Sequence, residues 1–290
     1  MVSKVAEVKK IFRDRGLAPK KWLGQNLLID GRYLRRIVDA ANVAVDEPIV
    51  EVGAGLGMLT EALIGEGARV MALEVDSGFF EALRERFKNS PQVELIHADA
   101  LKYDFRSLAE KLGKLRVVAN LPYSVSSRLM FKFYEDRDLF GSLLILLQKE
   151  VAERLTADPG TKDYGVLTVL LGVSAQIRTF FDIPSRAFYP APEVTSTLVS
   201  VTFPESPPIE VSDSRLFTRL VKTCFSARRK TLRNNLRAGL PPAILAETIA
   251  GAAEQANIDL GRRAETLSPV EFAGFVEVIG RSATGWRPKK

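Results

Sequence analysis

The chain has 290 residues, 46% of them hydrophobic, which suits about two domains with a sizeable core. It contains no run of about 18 apolar residues, and no apolar stretch follows the basic residues Lys4, Lys9, Lys10 and Arg13, so neither a membrane span nor a secretory signal is expected and a cytoplasmic location follows. A single cysteine, Cys224, excludes an internal disulfide; with His97 the only histidine, a zinc site lacks a ligand set, a His-centred triad has one candidate, and no metal is expected.

The net charge of +6 is segregated along the chain. Residues 1–36 carry ten Lys/Arg against three Asp/Glu, residues 37–210 seventeen against twenty-five, and residues 211–290 fourteen against seven. Basic ends around an acidic centre suit a protein that grips a polyanion with its flanks and does chemistry in the middle. Solvated charged faces are the plainer reading of the same pattern.

The first thirty residues are predicted to be a basic, helical arm leading to Lys20-Lys21-Trp22-Leu23-Gly24-Gln25-Asn26-Leu27-Leu28. Gly24 permits a tight turn there, and Gln25 and Asn26 bring amides that can reach a ligand. Tyr33, Leu34, Ile37, Val38 and Ala41 then fall on one face of an amphipathic helix. Ile49-Val50-Glu51-Val52-Gly53-Ala54-Gly55-Leu56-Gly57-Met58 reads as a strand, a glycine turn and a helix start, the first βα turn of a nucleotide-binding sheet. The dinucleotide fingerprint G-x-G-x-x-G needs a third glycine where this chain has Met58, which disfavours a nicotinamide dehydrogenase. E-x-G-x-G-x-G instead resembles the fingerprint of S-adenosylmethionine-dependent methyltransferases.

Strands are predicted at Arg69–Leu73, at Val93–His97 (where His97 has a structural role) and at Val117–Asn120. They end at Glu74, at Ala98-Asp99-Ala100 and at Asn120-Leu121-Pro122-Tyr123. Glu74 lies nineteen residues past Gly55, close to the ~20 expected for an acid that accepts from ribose hydroxyls, and Asp99 is placed to accept from an adenine amino group. A parallel sheet would bring Gly53, Glu74, Asp99 and Asn120 to one edge, where such sheets bind ligands. Any one acid taken singly reads equally well as a helix N-cap.

Asn120 offers a carbonyl and an NH2, Pro122 biases Leu121 to an extended shape that sets its carbonyl's direction, and Tyr123 adds a flat ring. Together they form a site for a planar base held by its exocyclic amine; a turn with Asn120 capping backbone and Tyr123 as filler is the bland alternative. Further along, Leu143–Leu147 reads as a fifth strand, Glu150 to Leu155 as a helix and Asp158-Pro159-Gly160-Thr161 as a turn. Tyr164–Val173 is apolar, Ala187 to Val194 forms an aromatic, proline-stiffened loop, and Thr195–Phe203 alternates as a final strand. Phe188 or Tyr189 reads as a second stacking face or as a hydrophobic plug. Pro204-Glu205-Ser206-Pro207-Pro208 is a linker, and the helical remainder holds Lys222 to Arg237, six cations without an acid, suited to phosphate contacts. Three domains follow: a basic arm at 1–36, a catalytic domain at 37–205 and a basic helical domain at 206–290.

The motifs L-G-Q-N, E-V-G-A-G-L-G, H-A-D-A, N-L-P-Y, Q-K-E-V-A-E-R, F-Y-P-A-P-E-V-T-S and F-S-A-R-R-K-T-L-R-N-N-L resemble those of the rRNA adenine N6-dimethyltransferase family. The match is to the housekeeping branch that modifies two adjacent adenosines in a hairpin loop near the 3′ end of small-subunit rRNA. Where Leu27 stands, that family usually has phenylalanine. The resemblance implies an α/β, Rossmann-like class I methyltransferase fold, a mostly parallel seven-stranded sheet flanked by helices, with a small C-terminal helical domain. It implies S-adenosylmethionine as cofactor, held by Asn26, Leu28, Gly53, Gly55, Glu74, Asp99, Ala100 and Asn120. The target adenine would fall to Asn120, Leu121, Pro122 and Tyr123 with Phe188 stacking, and the RNA to Arg228, Arg229, Lys230 and Arg233. The expected partner is small-subunit rRNA or the immature small subunit, met by a monomer. The rival readings are a large-subunit rRNA methyltransferase that confers antibiotic resistance and a non-catalytic RNA-binding assembly factor.

Overall fold

The computed structural model describes residues 4–19, 24–239 and 246–282. Residues 20–23, which carry Lys20 to Leu23 of the arm motif, lie outside the described residues, as do 240–245 and the basic tail from 283. The chain divides into two compact units, one of residues up to 152 together with 177–203, the other of 153–176 together with 204 onward.

In the first unit the elements run α1 (Lys4–Asp14), β1 (Leu27–Leu28), α2 (Gly31–Ala41), β2 (Pro48–Val52), α3 (Met58–Gly65), β3 (Arg69–Glu74), α4 (Ser77–Arg86), β4 (Val93–His97), α5 (Arg106–Leu112), β5 (Leu115–Asn120), α6 (Ser126–Glu135) and β6 (Phe140–Gln148). The helix α7 (Lys149–Leu155) carries the chain into the second unit, where α8 (Val166–Ser174) follows. The strand β7 (Gln176–Ile183) leads back into the first unit, which closes with β8 (Phe188–Tyr189) and β9 (Ser196–Thr202). The second unit resumes with α9 (Ser214–Cys224), α10 (Leu232–Gly239), α11 (Ala246–Gln255) and α12 (Pro269–Ser282).

Seven strands form one sheet in the order β4-β3-β2-β5-β6-β9-β7. The pairs β2–β3, β3–β4, β2–β5 and β5–β6 are parallel and β6–β9 is antiparallel. The apolar runs of β2, β5 and β6 are buried with little alternation, because helices cover both faces of such a sheet. α2 buries Leu34, Ile37, Val38 and Ala41, a stripe at 3.6-residue spacing, and is capped by Asp30, whose side chain accepts from Arg32 N at 3.0 Å. The strand order turns back between β2 and β5, the topological switch point at which open α/β sheets bind ligands.

The sheet has the seven strands that the resemblance implies, six of them at runs predicted as strands. The seventh, β7, sits at the sheet edge; its run Gln-Ile-Arg-Thr-Phe-Phe-Asp-Ile leaves most side chains exposed, so it lacks the apolar signal of a central strand. One placement differs from the expectation. Residues 153–176, expected in the catalytic domain, pack in the second unit. There the apolar helix α8 meets α9 and α12, and Tyr164 donates its hydroxyl to the Leu267 carbonyl at 2.7 Å. Apolarity tells that α8 is buried and says nothing about which core buries it.

Candidate active site

At the carboxyl ends of β2, β3, β4 and β5 lies a cavity of about 530 Å³, within the range of small-ligand sites. Its lining takes in Gly24 to Leu27 of the arm, Gly53 and Gly55, Glu74, Asp99, and Asn120 to Pro122. The four strand-end residues singled out in the sequence therefore share one wall, as the parallel pairing requires.

Close backbone approach builds this wall. Gly24 has φ +66°, and a Cβ there would stand 2.7 Å from the backbone nitrogen of Ser124, so the arm turn rests directly on the turn after β5. Asn26 continues the contact: its carbonyl accepts from Nδ2 of Asn120 at 3.0 Å. A carbonyl can only be met by the NH2 end of an amide, so this bond fixes which way the carboxamide points and leaves Oδ1 as the acceptor beside the cavity.

Glu74 is buried and heavily used. Its Oε2 accepts from Gly55 N at 2.8 Å and its Oε1 from Val75 N and Asp76 N at 3.0 and 2.9 Å. Burial raises its pKa against the pull of those amides. The carboxylate thus ties the glycine turn to the end of β3 while facing the cavity. The capping role falls to Asp76, whose Oδ1 accepts from Phe79 N at 3.0 Å. Asp99, half-buried, accepts from Leu101 N at 3.0 Å and lines the cavity. Beneath the glycine turn, Glu51 is enclosed and receives the Thr60 hydroxyl at 2.5 Å; burial first, then the nearby Glu74, push its pKa up to about 8.

The sequence model of one family, described as ribosomal RNA adenine dimethylase, matches residues 17–274. The chain belongs to the ribosomal RNA adenine dimethylase family. It is 43% identical over 267 residues to a ribosomal RNA small subunit methyltransferase A of Geobacter metallireducens, covering 91% of this chain and 96% of that one. To the protein of the same name in Syntrophus aciditrophicus it is 41% identical over 281 residues, covering 95% and 99%. Among solved structures, a dimethyladenosine transferase from Plasmodium falciparum shares the fold with a TM-score of 0.71 at 24% identity, covering 88% of this chain and 98% of that one. The 23S rRNA methyltransferase ErmE shares it with a TM-score of 0.62 at 23% identity, covering 88% and 100%. This rRNA adenine dimethylase family member accordingly has the methyltransferase α/β fold.

Not every residue expected at the site lines the cavity. Leu28, Ala100, Tyr123 and Phe188 are outside the lining. Leu27 lines it instead of Leu28, because successive residues of a strand face opposite ways. Leu28 is buried and pairs in antiparallel register with Phe188, so β1 and β8 join the arm to the aromatic loop. Phe188 is 3% exposed and meets Tyr123 edge-on, with ring centroids 6.4 Å apart. The Tyr123 hydroxyl bonds to Ser196.

Sequence reasoning missed Val75, Phe79, Leu101, Lys102 and Arg128 in the lining. Val75 and Leu101 follow the strand-end acids by one and two residues, which is a usable signal; Phe79, Lys102 and Arg128 are placed only by tertiary packing. His97 stacks on Phe80 at 4.6 Å with Nε2 3.3 Å from the Val75 carbonyl, engaged in structure rather than chemistry. Among the described residues no group of three or more His, Cys, Asp or Glu could hold a metal, and no helix is long and apolar enough to cross a membrane.

Arg228, Arg229, Lys230 and Arg233 belong to the second unit and are exposed. Arg228, Arg229 and Lys230 stand on the link between α9 and α10, and Arg233 in the first turn of α10. The buried Asn235 shapes the link: its Nδ2 donates to the carbonyls of Cys224 and Ala227 at 2.5 and 3.1 Å, and its Oδ1 accepts from the Ser226 hydroxyl at 3.3 Å. Arg228 also pairs with Glu265 at 2.9 Å.

Proposed function

We propose that this chain uses S-adenosylmethionine to convert two adjacent adenosines in a hairpin loop near the 3′ end of small-subunit rRNA to their N6,N6-dimethyl forms, in two successive transfers per base. The reading rests on one observation above all: the Asn120 carboxamide, its NH2 end held by the Asn26 carbonyl, lines a cavity that also holds the glycine turn and two strand-end carboxylates. The small-subunit target is supported by the relatives' name at 41 to 43% identity.

The cavity's lining fits the cofactor. Glu74 and Asp99 are acceptors matched to ribose hydroxyls and an adenine amine, the glycine turn leaves room for close approach, and Asn26 and Asn120 complete the holding residues, with Leu28 and Ala100 supporting them from outside the lining. When bound, S-adenosylmethionine supplies an electrophilic methyl group on a positively charged sulfur.

The chain's own residues supply the rest. An aromatic amine is a poor nucleophile because its lone pair is delocalised into the ring. Asn120 Oδ1 and the Leu121 carbonyl accept the two N6 hydrogens, hold the nitrogen in line for attack and favour its pyramidal form; Pro122 stiffens that turn. Tyr123 stacks on the base, backed by Phe188. The alkylated nitrogen is acidic, so its proton passes to water without a dedicated base. Bringing the base out of its stack costs a few kcal/mol in a duplex and less in a loop, which favours a hairpin target. Arg228, Arg229, Lys230 and Arg233 hold phosphates of the rRNA or immature subunit, with the arm at 1–36 and the helical residues from 206 as the basic flanks. The enzyme works as a cytoplasmic monomer.

Incubation with labelled cofactor and undermethylated small subunits, followed by mapping of the label, tests this. Label on two neighbouring adenosines as dimethyl product is expected. Label on the large subunit, or cofactor binding without transfer, would contradict it.

A further inference from the structure

Tyr123 and Ser196 are 73 residues apart, yet their hydroxyls are hydrogen bonded. Ser196 is fully buried at the first residue of β9, opposite Gln148 at the end of β6. On its other side β6 holds β5, with Leu146 opposite Asn120. The bond therefore reaches from the turn after β5, across the end of β6, to β9.

A hydroxyl at a fully buried strand position is unfavourable unless it has a partner, and the phenol is that partner. The Tyr123 ring is consequently held at both ends. Its backbone is backed by the Gly24 turn, where a Cβ would stand 3.0 Å from Tyr123 N, and its hydroxyl is tied to the sheet. Phe188 meets it edge-on and limits its tilt. Burial raises the Tyr123 pKa, so the phenol stays neutral and serves as a hydrogen-bonding group, not a base.

We infer that Ser196 is a positioning residue for the target adenine, acting through Tyr123 by fixing the plane of the ring on which the base stacks. This rests on the adenine-pocket reading above. Misplacing the ring should tell most on the second transfer, because the monomethylated amine has only one N6 hydrogen left to guide it and depends more on stacking.

Ser196→Ala and Tyr123→Phe are each expected to lower kcat on undermethylated small subunits by about 3- to 10-fold, the effect of one lost hydrogen bond. Cofactor affinity should stay within about twofold, and monomethyl adenosine should make up a larger share of product; a smaller folded fraction would slow turnover without changing that share. The Ser196→Ala/Tyr123→Phe double variant leaves neither hydroxyl orphaned, so it keeps the test valid if Ser196→Ala folds poorly, and it should be no slower than either single variant. Full rate and an unchanged product ratio in Ser196→Ala, losses that multiply in the double variant, or cofactor binding and melting temperature that fall in step with rate would each overturn the inference. A parent enzyme that methylates no rRNA would instead sink the functional reading itself.

Discussion

Gly53 and Pro122 are so close that a Cβ on the glycine would stand 3.1 Å from both Cδ and Cγ of the proline. The turn after β2 and the turn after β5 therefore touch at the switch point of the sheet, and the cavity opens where they meet. Gly53 also sits at φ +76°, a conformation that side-chain-bearing residues rarely adopt.

Gly53→Ala should accordingly lose stability by about 1–2 kcal/mol from the left-handed backbone and weaken cofactor binding by about tenfold or more as the turn shifts, a change of about 1.4 kcal/mol or more. Thermal melts and calorimetric titration with S-adenosylmethionine check the two parts. Binding at parental strength would remove the glycine turn from the cofactor site.

Glu51 makes stability depend on pH. Its pKa rises from 4.5 to about 8 in the fold, chiefly through burial. Between those values the folded state binds more protons than the unfolded one, so this group's contribution is fully present below pH 4.5 and is lost as pH rises toward 8. Glu51→Gln, which keeps a neutral acceptor for Thr60, should flatten the fall in melting temperature across that window. Parallel profiles for parent and variant would show that Glu51 is not the titrating group.

Gly53, Glu74, Asp99 and Asn120 were legible because each ends a strand with a clear apolar run, and a parallel sheet must bring such ends together. The Asn120–Asn26 bond was not legible, since nothing local in Asn26 says that its carbonyl will meet a side chain 94 residues away. The pairing of Leu28 with Phe188 involves two residues on each side, too few to leave a period in the sequence. Ser196 read as one more residue in an alternating strand, because its partner lies beyond the next strand of the sheet. β7 and the placement of 153–176 were hidden for a related reason: edge position and choice of core are decided by tertiary packing, whereas hydrophobic pattern reports only burial.

The link between α9 and α10 should act through charge. Arg229→Ala and Lys230→Ala, both at exposed positions, are expected to leave melting temperature nearly unchanged while weakening RNA binding. Each should reduce the slope of log affinity against log salt by about one. Filter binding over a salt series measures this; an unaltered slope would take these cations off the RNA.

Asn235 should act through shape. Asn235→Ala strands the carbonyls of Cys224 and Ala227 and the Ser226 hydroxyl, so a loss of about 1–3 kcal/mol in stability is expected. At temperatures where the variant is fully folded, RNA affinity should still fall although no charge has been removed. Urea denaturation and binding assays together decide it, and parental RNA affinity in the folded variant would show that the link needs no such support.

The most direct test of the whole account is single-turnover methyl transfer by Asn120→Ala to undermethylated small subunits, with cofactor affinity measured on the same preparation. Near abolition of transfer with only partly weakened S-adenosylmethionine binding is the predicted result. Transfer at the parental rate would contradict the assignment of this carboxamide to the reacting amine.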